Sequence, residues 1–331
     1  MDKKISILMP AYNTEKYIAA AIQSVLDQSF SAFELIIVND GSTDGTKEII
    51  LSFQDERIVY KENVQNRGLA YTRNRLIDAA SSEIIAWIDA DDIYHKNFLE
   101  KGYSFLCKNL NYKMVTAWAR IIDGDGRFGR NYFKAYANER RLPLVFLFVN
   151  YIVQSSVMVR KEVFEFFKFD EAFPVILDFE MWVNIASRYK IKILREVLVD
   201  YRIHNSNMSA TQSKQAQQAI LKLYARNFTQ LGLTFSPEEL NLHYDISFGL
   251  TVKNISYFDS VESWLLKLKD NNKIKELHNL ADINGVFSHR WVKVCLRENT
   301  LGMVVVKKMM SSPLFKYNVR NLALLAKYLM R

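Results

Sequence analysis

The feature that most constrains the fold is an alternation between two periodicities in the first third of the chain. From Lys4 to about Asp123, short apolar runs rich in β-branched residues alternate with amphipathic stretches of helical period. This pattern is typical of an α/β fold with a mostly parallel sheet flanked by helices. Five strands are predicted: ISILMP, FELIIVND, RIVYKE, EIIAWID and KMVTAWARI. Three helices are predicted between them: TEKYIAAAIQSVLDQ, TDGTKEIILSF and LAYTRNRLIDAA, with Thr14 and Ser42 as N-caps of the first two.

The domain organisation follows from where this alternation stops. The chain has 331 residues, more than a single α/β core usually needs, so two parts are expected. The alternation fades after Phe128, one more strand is predicted near 155–159, and the pattern is helical from about Thr211 onward. We therefore expect an α/β domain at 1–211, with halves at about 1–123 and 124–211, and a smaller helical region at 212–331.

Charge and composition narrow the classes of partner. A formal net charge of +8 indicates anionic partners, but nucleic acid is not expected because the cations cluster near the C-terminal helix without interleaved aromatic residues. Cys107 and Cys295 are far apart, which argues against a disulfide framework or a zinc site. The stretch before Pro10 is too short for a signal peptide, and the apolar segment 142–153 is too short to span a bilayer. A cytoplasmic location is therefore expected.

Acidic residues end two of the predicted strands. Asp40 ends the second strand, and Asp89, Asp91 and Asp92 follow the fourth. Ligands of open α/β sheets bind outside the carboxyl ends of the strands, so these residues are expected to lie at one site. Mg²⁺ and Mn²⁺ commonly take one or two carboxylates together with substrate phosphates. The sequence therefore predicts a divalent-cation site that neutralises a departing diphosphate, with the DAD motif as its core.

Nearby cations are candidates for sharing this role. The alternative is that these arginines only solvate a helix face. For Arg67 this alternative is less expected, because Arg67 lies in a loop beside Gly68. Arg73 and Arg75 belong to the helix that follows, and for Arg75 a solvated helix face is an equally good interpretation.

Two later residues are candidates for further roles. Asp178 interrupts an aromatic-rich stretch that opens a predicted helix, where burial would raise its pKa and suit it to accept a proton. An ordinary helix N-terminal carboxylate is the alternative, and Glu180 is a competing base. His204 follows a strand-like segment; a lone histidine is usually structural, but a phosphate or metal role is also open.

Six motifs taken in order carry a family resemblance. ISILMPAYN, VNDGSTDGT, NRGLAYTRN, WIDADD, LDFEMW and YRIHNSNMS resemble the successive motifs of family 2 glycosyltransferases, here a bacterial, inverting enzyme with a GT-A fold. The resemblance covers about the first two thirds of the chain. It implies that the half at 1–123 binds the nucleotide and the half at 124–211 binds the acceptor.

The resemblance also implies the role of each site residue. Asp91 ligates Mn²⁺ or Mg²⁺, Asp178 is the catalytic base, and His204 meets the metal or the diphosphate. Asp40 contacts the base of the nucleotide and Asp89 the ribose side. The full set implied to bind the nucleotide sugar is Pro10, Ala11, Tyr12, Asp40, Arg67, Asp89 and Ala90.

Two positions depart from the family pattern: Leu177 precedes Asp178 where an acidic residue is common, and Asn184 stands where an arginine is frequent. Glu180 therefore stays open as the base.

The activity implied is inverting transfer of a hexose or N-acetylhexosamine from a UDP-sugar to a hydroxyl of a glycan, glycolipid or glycoprotein acceptor. The expected context is the assembly of cell-surface polysaccharide or glycoconjugate. One alternative is a sugar nucleotidyltransferase, although that class would want a glycine-rich basic loop where this chain has MPAYNTEKY. The other is a non-catalytic partner subunit of another glycosyltransferase.

The end of the sequence predicts a basic amphipathic helix. Ser312 and Pro313 are typical of a helix start, and no acidic residue follows Leu301. At helical spacing one face carries Lys316, Arg320, Lys327 and Arg331, and roughly the opposite face carries Leu314, Leu322, Leu325 and Leu329. Such a helix can lie on an anionic membrane surface, which would make the chain a peripheral protein at the inner face of the cell membrane. The alternative is that its leucines pack on the protein.

Overall fold

The computed structural model describes residues 3–134, 138–173, 175–204, 214–249, 254–297 and 301–330. The chain divides into two compact units, one made of Met1–Glu139 and Tyr151–Ala216 and the other of Arg140–Asn150 and Gln217–Arg331. The expected boundary at 211 lies outside the described residues.

The first unit is built on a mixed, mostly parallel sheet, so the predicted fold class is confirmed. In the described residues the strands are β1 (Ile5–Ala11), β2 (Phe33–Asn39), β3 (Ile58–Glu62), β4 (Ile84–Trp87), β5 (Ile93–Tyr94), β6 (Tyr112–Ile122), β7 (Phe128–Phe133), β8 (Val157–Arg160) and β9 (Lys190–Arg202). Their order is β3-β2-β1-β4-β8-β6-β9-β5, with β7 beside β6. Strands β1 to β4 pair in parallel, whereas β8 runs antiparallel to both β4 and β6.

Helices connect these strands and form the second unit. Their bounds are α1 (Ile18–Leu26), α2 (Thr46–Ser52), α3 (Leu69–Ala79), α4 (Phe98–Lys108), α5 (Leu142–Phe146), α6 (Leu177–Arg188), α7 (Lys214–Gln230), α8 (Pro237–Phe248), α9 (Ile255–Lys269), α10 (Asn272–Leu277), α11 (Leu280–Cys295), α12 (Gly302–Ser311) and α13 (Val319–Leu329). Within the described residues no helix is long and apolar enough to cross a membrane.

The core of the first unit follows from the alternation of β1. Ile5, Ile7 and Met9 share one buried cluster with residues of α1 and α4. Side chains of a strand alternate between the faces of the sheet, so Leu8 belongs to the opposite face. Helix α3 packs against β1 and β2. Because β1 is buried along its whole length, its carboxyl end is held rigidly at the edge where the acidic residues follow.

The predicted N-caps of the first two helices are wrong. Helix α1 begins after Tyr17 and α2 after Gly45, and neither capping residue uses a side chain. The hydroxyl of Ser42 instead accepts a hydrogen bond from the N–H of Asn13, at 3.0 Å, and donates one to the side chain of Asn39. The hydroxyl binds loop atoms, so the first turn of α2 lies further along the chain than the sequence suggests.

The segment Arg140–Asn150 belongs to the core of the second unit. Arg141 Nε donates to Asp282 Oδ1 at 2.6 Å, which ties the segment to α11. Phe148 is fully buried, and its carbonyl accepts a hydrogen bond from the Tyr224 hydroxyl of α7. The apolar run in the middle of the sequence therefore contributes core side chains to a helical unit whose other helices follow some 65 residues later in the chain.

A buried histidine lies at the centre of this core. His243 is fully buried, its Nε2 lies 2.7 Å from the carbonyl of Leu147, and its Nδ1 accepts from Trp264 Nε1 at 3.0 Å. A carbonyl only accepts, so Nε2 carries the proton and the ring is neutral. Burial lowers the pKa of His243 to about 3, and the charge of Arg290 also lowers it, against the hydrogen bond to Leu147.

The last helix begins later than the sequence predicts. Ser312 ends α12, and its hydroxyl accepts from the N–H of Leu314 at 3.1 Å, so Ser312 and Pro313 form a turn. Helix α13 begins at Val319, with Asn318 as the N-cap whose side chain accepts from the N–H of Asn321. The predicted start at Ser312 is wrong because Asn318 supplies the capping side chain a few residues on.

The neutral histidine predicts a pH dependence of the second unit. A folded-state pKa of about 3, lowered from 6.5, means that the unfolded chain binds more protons between these values. Stability is therefore fully present above pH 6.5 and falls as the pH drops, by about 1.4 kcal/mol per pH unit for one histidine. Hydrogen exchange of α8 and α9 between pH 7 and pH 4 measures this, with pH-dependent chemical exchange corrected for.

Two variants test the source of this slope. His243→Gln is expected to reduce the pH slope of protection, and a residual slope is expected from His289, whose pKa burial also lowers to about 3. His95→Gln, in the first unit, should leave the slope in α8 and α9 unchanged. An unchanged slope in His243→Gln would contradict the assignment.

Candidate active site

The carboxyl ends of β1, β2 and β4 lie at one edge of the sheet. The register pairs Ala11 with Asn39 and Leu8 with Trp87. The N–H of Ile88 continues this pairing beyond β4 by donating to the carbonyl of Leu8 at 3.1 Å. The residues that follow each strand, including Tyr12, therefore lie at this same edge, as the parallel pattern predicts.

The loops after β1 and β2 are joined by reciprocal hydrogen bonds. Asn13 adopts the left-handed region, with φ 50°, which asparagine tolerates better than most residues. Its Oδ1 accepts from the N–H of Thr43 at 2.9 Å, while its own N–H donates to the hydroxyl of Ser42. Glu15 Oε2 accepts from the N–H of Gly45 at 2.7 Å. The motifs AYNTE and NDGSTDGT thus form one surface rather than two independent loops.

Asp40 anchors the loop that carries Arg67. Its Oδ1 accepts from Asn63 Nδ2 at 2.6 Å and from the N–H of Arg67 at 2.9 Å, and its Oδ2 accepts from the N–H of Gly68 at 3.0 Å. Asp40 is buried, whereas the side chain of Arg67 is exposed and lies over the ring of Tyr71 at 4.2 Å. Asp40 therefore positions the start of α3, and its implied contact with a nucleotide base stays a prediction.

A fully buried carboxyl group holds the DAD motif in place. Asp92 accepts from the Ser155 hydroxyl and, at 2.8 Å, from the N–H of Arg202. The same Ser155 oxygen accepts from the N–H of Asp89 at 2.9 Å. Burial raises the pKa of Asp92 well above its usual value, and the charges of Asp91 and Asp89 raise it further. This one carboxyl group ties the end of β4 to the segment before β8 and to the end of β9.

Asp91 and His204 face each other beside this network. Asp91 Oδ2 lies 3.0 Å from His204 Nε2, and the imidazole stacks on Tyr17 with ring centroids 4.6 Å apart. Arg202 Nε donates to the carbonyl of Asp91 at 2.8 Å. Burial raises the pKa of Asp91 and the charge of Asp89 adds to this, while the hydrogen bond from His204 opposes it. A carboxylate oxygen and an imidazole nitrogen, both of which could bind a metal ion, thus lie side by side.

A buried arginine links the DAD motif to the region of Asp178. Arg73 is 4% exposed, and its Nη2 donates to Asp89 Oδ1 at 3.1 Å. Its guanidinium lies 5.3 Å from the ring centroid of Phe169. Burial raises the pKa of Asp178 above its usual value, and the positive charge of Arg73 opposes that shift. Arg73 is therefore close enough to act electrostatically on both carboxylates.

Asp178 and Glu180 differ in their surroundings. Both lie in the first turn of α6, as the sequence predicts, and Asp178 is only half-buried. Glu180 is 2% exposed, and its Oε1 accepts from Asn184 Nδ2 at 2.6 Å. The asparagine that departs from the family pattern therefore binds the competing carboxylate one helical turn away.

Sequence reasoning missed several residues of this network. Arg202 is part of the YRIH motif, and its position before His204 is the one signal that could have drawn attention to it. No sequence signal pointed to Ser155 or Tyr17. The Ser155 hydroxyl contacts Asp92 across 63 residues of sequence, and the ring of Tyr17 stacks on His204, so neither contact leaves a local pattern. Of the expected pocket residues, Ala11 and Ala90 are buried and Tyr12 is 45% exposed.

Among the described residues, no three His, Cys, Asp or Glu side chains converge closely enough to hold a metal ion by themselves. The two residues predicted to bind the metal, Asp91 and His204, do lie together, with Nε2 and Oδ2 3.0 Å apart.

The mixed sheet with carboxylates at the carboxyl ends of its strands defines an α/β protein whose ligand site is expected at that edge, and sequence comparison identifies the family. The family model described as Glycosyl transferase family 2 matches residues 6–167. An uncharacterised glycosyltransferase of Methanocaldococcus jannaschii is 32% identical over 211 residues, which cover 62% of this chain and 73% of the relative. The chain belongs to glycosyl transferase family 2 and is a glycosyltransferase of that family.

Two relatives have more specific names. An Escherichia coli protein named UDP-Glc:alpha-D-GlcNAc-diphosphoundecaprenol beta-1,3-glucosyltransferase WfgD is 38% identical over 129 residues, 39% of this chain and 51% of that protein. The putative teichuronic acid biosynthesis glycosyltransferase TuaG of Bacillus subtilis is 42% identical over 106 residues, 31% of this chain and 41% of that protein.

Solved structures agree on the fold. S. aureus TarS residues 1–349, in complex with UDP-GlcNAc, has a TM-score of 0.58 at 16% identity and covers 87% of this chain and 89% of that one. The mannosyltransferase PcManGT of Pyrobaculum calidifontis, in complex with GDP-Man and Mn²⁺, has a TM-score of 0.54 at 14% identity and covers 99% and 88%. At these identities the likeness shows a GT-A-like fold alone.

The Asp92 network predicts a stability effect. Ser155→Ala removes the donor to a buried carboxyl group and the acceptor of the Asp89 N–H, so we expect the first unit to lose about 1–3 kcal/mol. Urea unfolding followed by hydrogen exchange of β4 and β9 measures this. Ser187→Ala removes an exposed serine on α6 and should change stability by less than about 0.5 kcal/mol. Equal effects of the two variants would contradict the role of Ser155.

Proposed function

We propose that this glycosyltransferase moves a hexose or N-acetylhexosamine from a UDP-sugar to an acceptor hydroxyl, with inversion at the anomeric carbon. The observation that carries the proposal is that Arg73 donates to Asp89 and acts electrostatically on Asp178, so these side chains lie near one another. This proximity supports a phosphate-side site next to a base. The acceptor is a glycan, glycolipid or glycoprotein, in the assembly of cell-surface polysaccharide or glycoconjugate.

The donor class is supported by named relatives. The E. coli relative is named as a UDP-Glc-dependent glucosyltransferase with a lipid diphosphate acceptor, and the B. subtilis relative is named for teichuronic acid. TarS has been solved with UDP-GlcNAc. Membership of the glycosyltransferase family argues against a sugar nucleotidyltransferase. A non-catalytic partner subunit is one outcome that the assay of the unsubstituted protein can reveal.

Asp91 and His204 are the residues proposed to hold Mn²⁺ or Mg²⁺. Asp91 Oδ2 and His204 Nε2 lie 3.0 Å apart, close enough for both atoms to hold one ion. Both Mg²⁺ and Mn²⁺ take carboxylate oxygens, and Mn²⁺ would accept the neighbouring imidazole nitrogen more readily than Mg²⁺ would. Such an ion, when bound, supplies positive charge to the departing diphosphate. PcManGT has been solved in complex with GDP-Man and Mn²⁺, which supports the proposal of a divalent ion.

Asp178 is the proposed base and Arg73 its electrostatic partner. The raised pKa of Asp178 makes its carboxylate a better proton acceptor than an exposed aspartate, while Arg73 keeps the ionised form accessible. Asp178 takes the proton of the acceptor hydroxyl as the oxygen attacks the anomeric carbon, and the nucleoside diphosphate leaves from the opposite face. Asp89, held by Arg73, is proposed to orient the ribose side of the donor. Pro10, Ala11, Tyr12, Asp40, Arg67 and Ala90 are the further residues proposed for the donor pocket.

Replacing the base should separate chemistry from binding. Asp178→Asn is expected to lower kcat by about 100- to 10,000-fold, because the amide cannot accept the proton, while the Kd for the UDP-sugar changes little. The measurement is release of UDP from a panel of UDP-sugars with acceptor, alongside donor binding by calorimetry.

Two further variants compare Asp178 with the competing carboxylate and with an exposed aspartate. Glu180→Gln should keep most of the activity, since that buried carboxylate is bonded to Asn184, and Asp78→Asn changes an exposed aspartate elsewhere. Loss of turnover in Glu180→Gln with activity kept in Asp178→Asn would transfer the role to Glu180. Donor binding without turnover in the unsubstituted protein, across the whole panel, would favour a non-catalytic subunit.

The metal proposal predicts dependence on a divalent ion. Chelation should abolish UDP release and Mn²⁺ should restore it, and Asp91→Asn should raise the Mn²⁺ concentration required by at least about tenfold. Titration of Mn²⁺ into the chelated protein, followed by electron paramagnetic resonance, measures binding without turnover. The exposed variant Asp125→Asn is the control. Full activity in the presence of chelator would overturn the metal assignment.

A further inference from the structure

Helix α13 is packed with its apolar residues outward. Within the helix, the exposed fraction is 86% for Val319, 44% for Leu322 and 57% for Leu329. Met330, which directly follows the helix, is 81% exposed. Ala323 and Ala326 are exposed as well. At 100° per residue these six residues share one arc of about 120°, which contains no polar side chain. The alternative in which the leucine face packs on the protein is therefore wrong for Leu322 and Leu329, although Leu314 is buried and Leu325 is half-buried.

A polar anchor fixes the rotation of this helix. Asn321 is the one residue of α13 that is fully buried, at 1% exposure, and its Nδ2 donates to the Ser288 hydroxyl of α11 at 2.9 Å. The same Ser288 oxygen accepts from the N–H of Lys316 at 3.0 Å. An ordinary surface helix buries its leucines and exposes its asparagines. Here the hydrogen bonds hold the opposite orientation, so the exposed arc is a built feature of the helix.

Cations border the apolar arc. Arg320 and Lys327 are exposed and lie about 80–100° from Val319 around the helix, at one flank of the arc. Lys316 and the 70%-exposed Tyr317 precede the helix. The sequence from Leu301 onward contains no acidic residue. An exposed apolar arc with a basic flank and a nearby tyrosine matches a helix that lies in a bilayer interface.

We propose that α13 docks on an anionic lipid surface, with Val319, Leu322, Leu329 and Met330 inserted among the acyl chains and the flanking cations at the headgroups. Charge complementarity selects this occupant. A second copy of the chain would bring two basic borders together in a self-paired interface, which the repulsion of like charges disfavours. The docking surface lies in the helical unit and does not depend on the proposed donor or base.

Vesicle binding tests the proposal directly. The full chain is expected to sediment with vesicles of phosphatidylcholine mixed with phosphatidylglycerol, and to bind at least about tenfold more weakly to phosphatidylcholine alone or in high salt. The double variant Leu322→Gln, Leu329→Gln should lose at least about tenfold in affinity for the mixed vesicles. Lys316→Gln with Lys327→Gln should weaken binding to mixed vesicles and leave binding to phosphatidylcholine unchanged.

The chain offers a matched control. Leu277 and Leu280 are 70% and 63% exposed elsewhere on the helical unit, so Leu277→Gln, Leu280→Gln removes at least as much exposed apolar surface and should bind vesicles like the unsubstituted chain. Equal losses in both double variants, equal binding to both lipid mixtures, or no vesicle binding at all would overturn the proposal. So would an oligomer in lipid-free solution that Leu322→Gln, Leu329→Gln converts to a monomer. UDP release with a water-soluble acceptor should be the same in all variants, so a failed donor assay does not affect this result.

Discussion

The candidate site depends on one buried carboxyl group. Asp92 receives hydrogen bonds from Ser155 and from the backbone of Arg202, and Ser155 in turn accepts from the backbone of Asp89. Burying a carboxyl group costs free energy unless its oxygens accept hydrogen bonds. These hydrogen bonds therefore hold the end of β4, the segment before β8 and the end of β9 to one another. Asp89 and Asp91 thus extend from a backbone that is fixed at three points, and His204 follows Arg202 by two residues.

Much of the fold was predictable because its signals are local. The apolar runs at β1 to β4 and the helical periodicity of α1 and α3 come from side chains only a few residues apart, and both are where the sequence predicts them. The parallel arrangement then brings the strand ends together, which is why Asp40 and Asp89 share an edge. The two-residue strand β5 could not be located by such signals. The strand predicted near 155–159 is present as β8, but its antiparallel direction could not be predicted, because pairing partners are chosen by contacts distant in sequence.

The residue types of the site could be predicted from the sequence, but many of the contacts between their side chains could not. The spacing of Asp89 and Asp91 and the helix start at Asp178 are local facts. By contrast, the sequence indicates Arg73 only as a cation near the motif, yet it is buried against Asp89 and acts on Asp178 across 105 residues of sequence. Likewise, helical periodicity located the leucines of α13 but could not tell that Asn321 would bind Ser288 and turn them outward.

The discontinuity of the helical unit has a consequence for how this polypeptide matures. Phe148 and Leu147 are synthesised well before the helices that enclose them, yet their burial awaits Tyr224 and His243. Until those helices emerge from the ribosome, a strongly apolar stretch in the middle of the α/β sequence has no partner and is a ready target for chaperones. A gene fragment that begins at residue 217 would therefore lack the buried Phe148 ring and the Leu147 carbonyl that His243 binds.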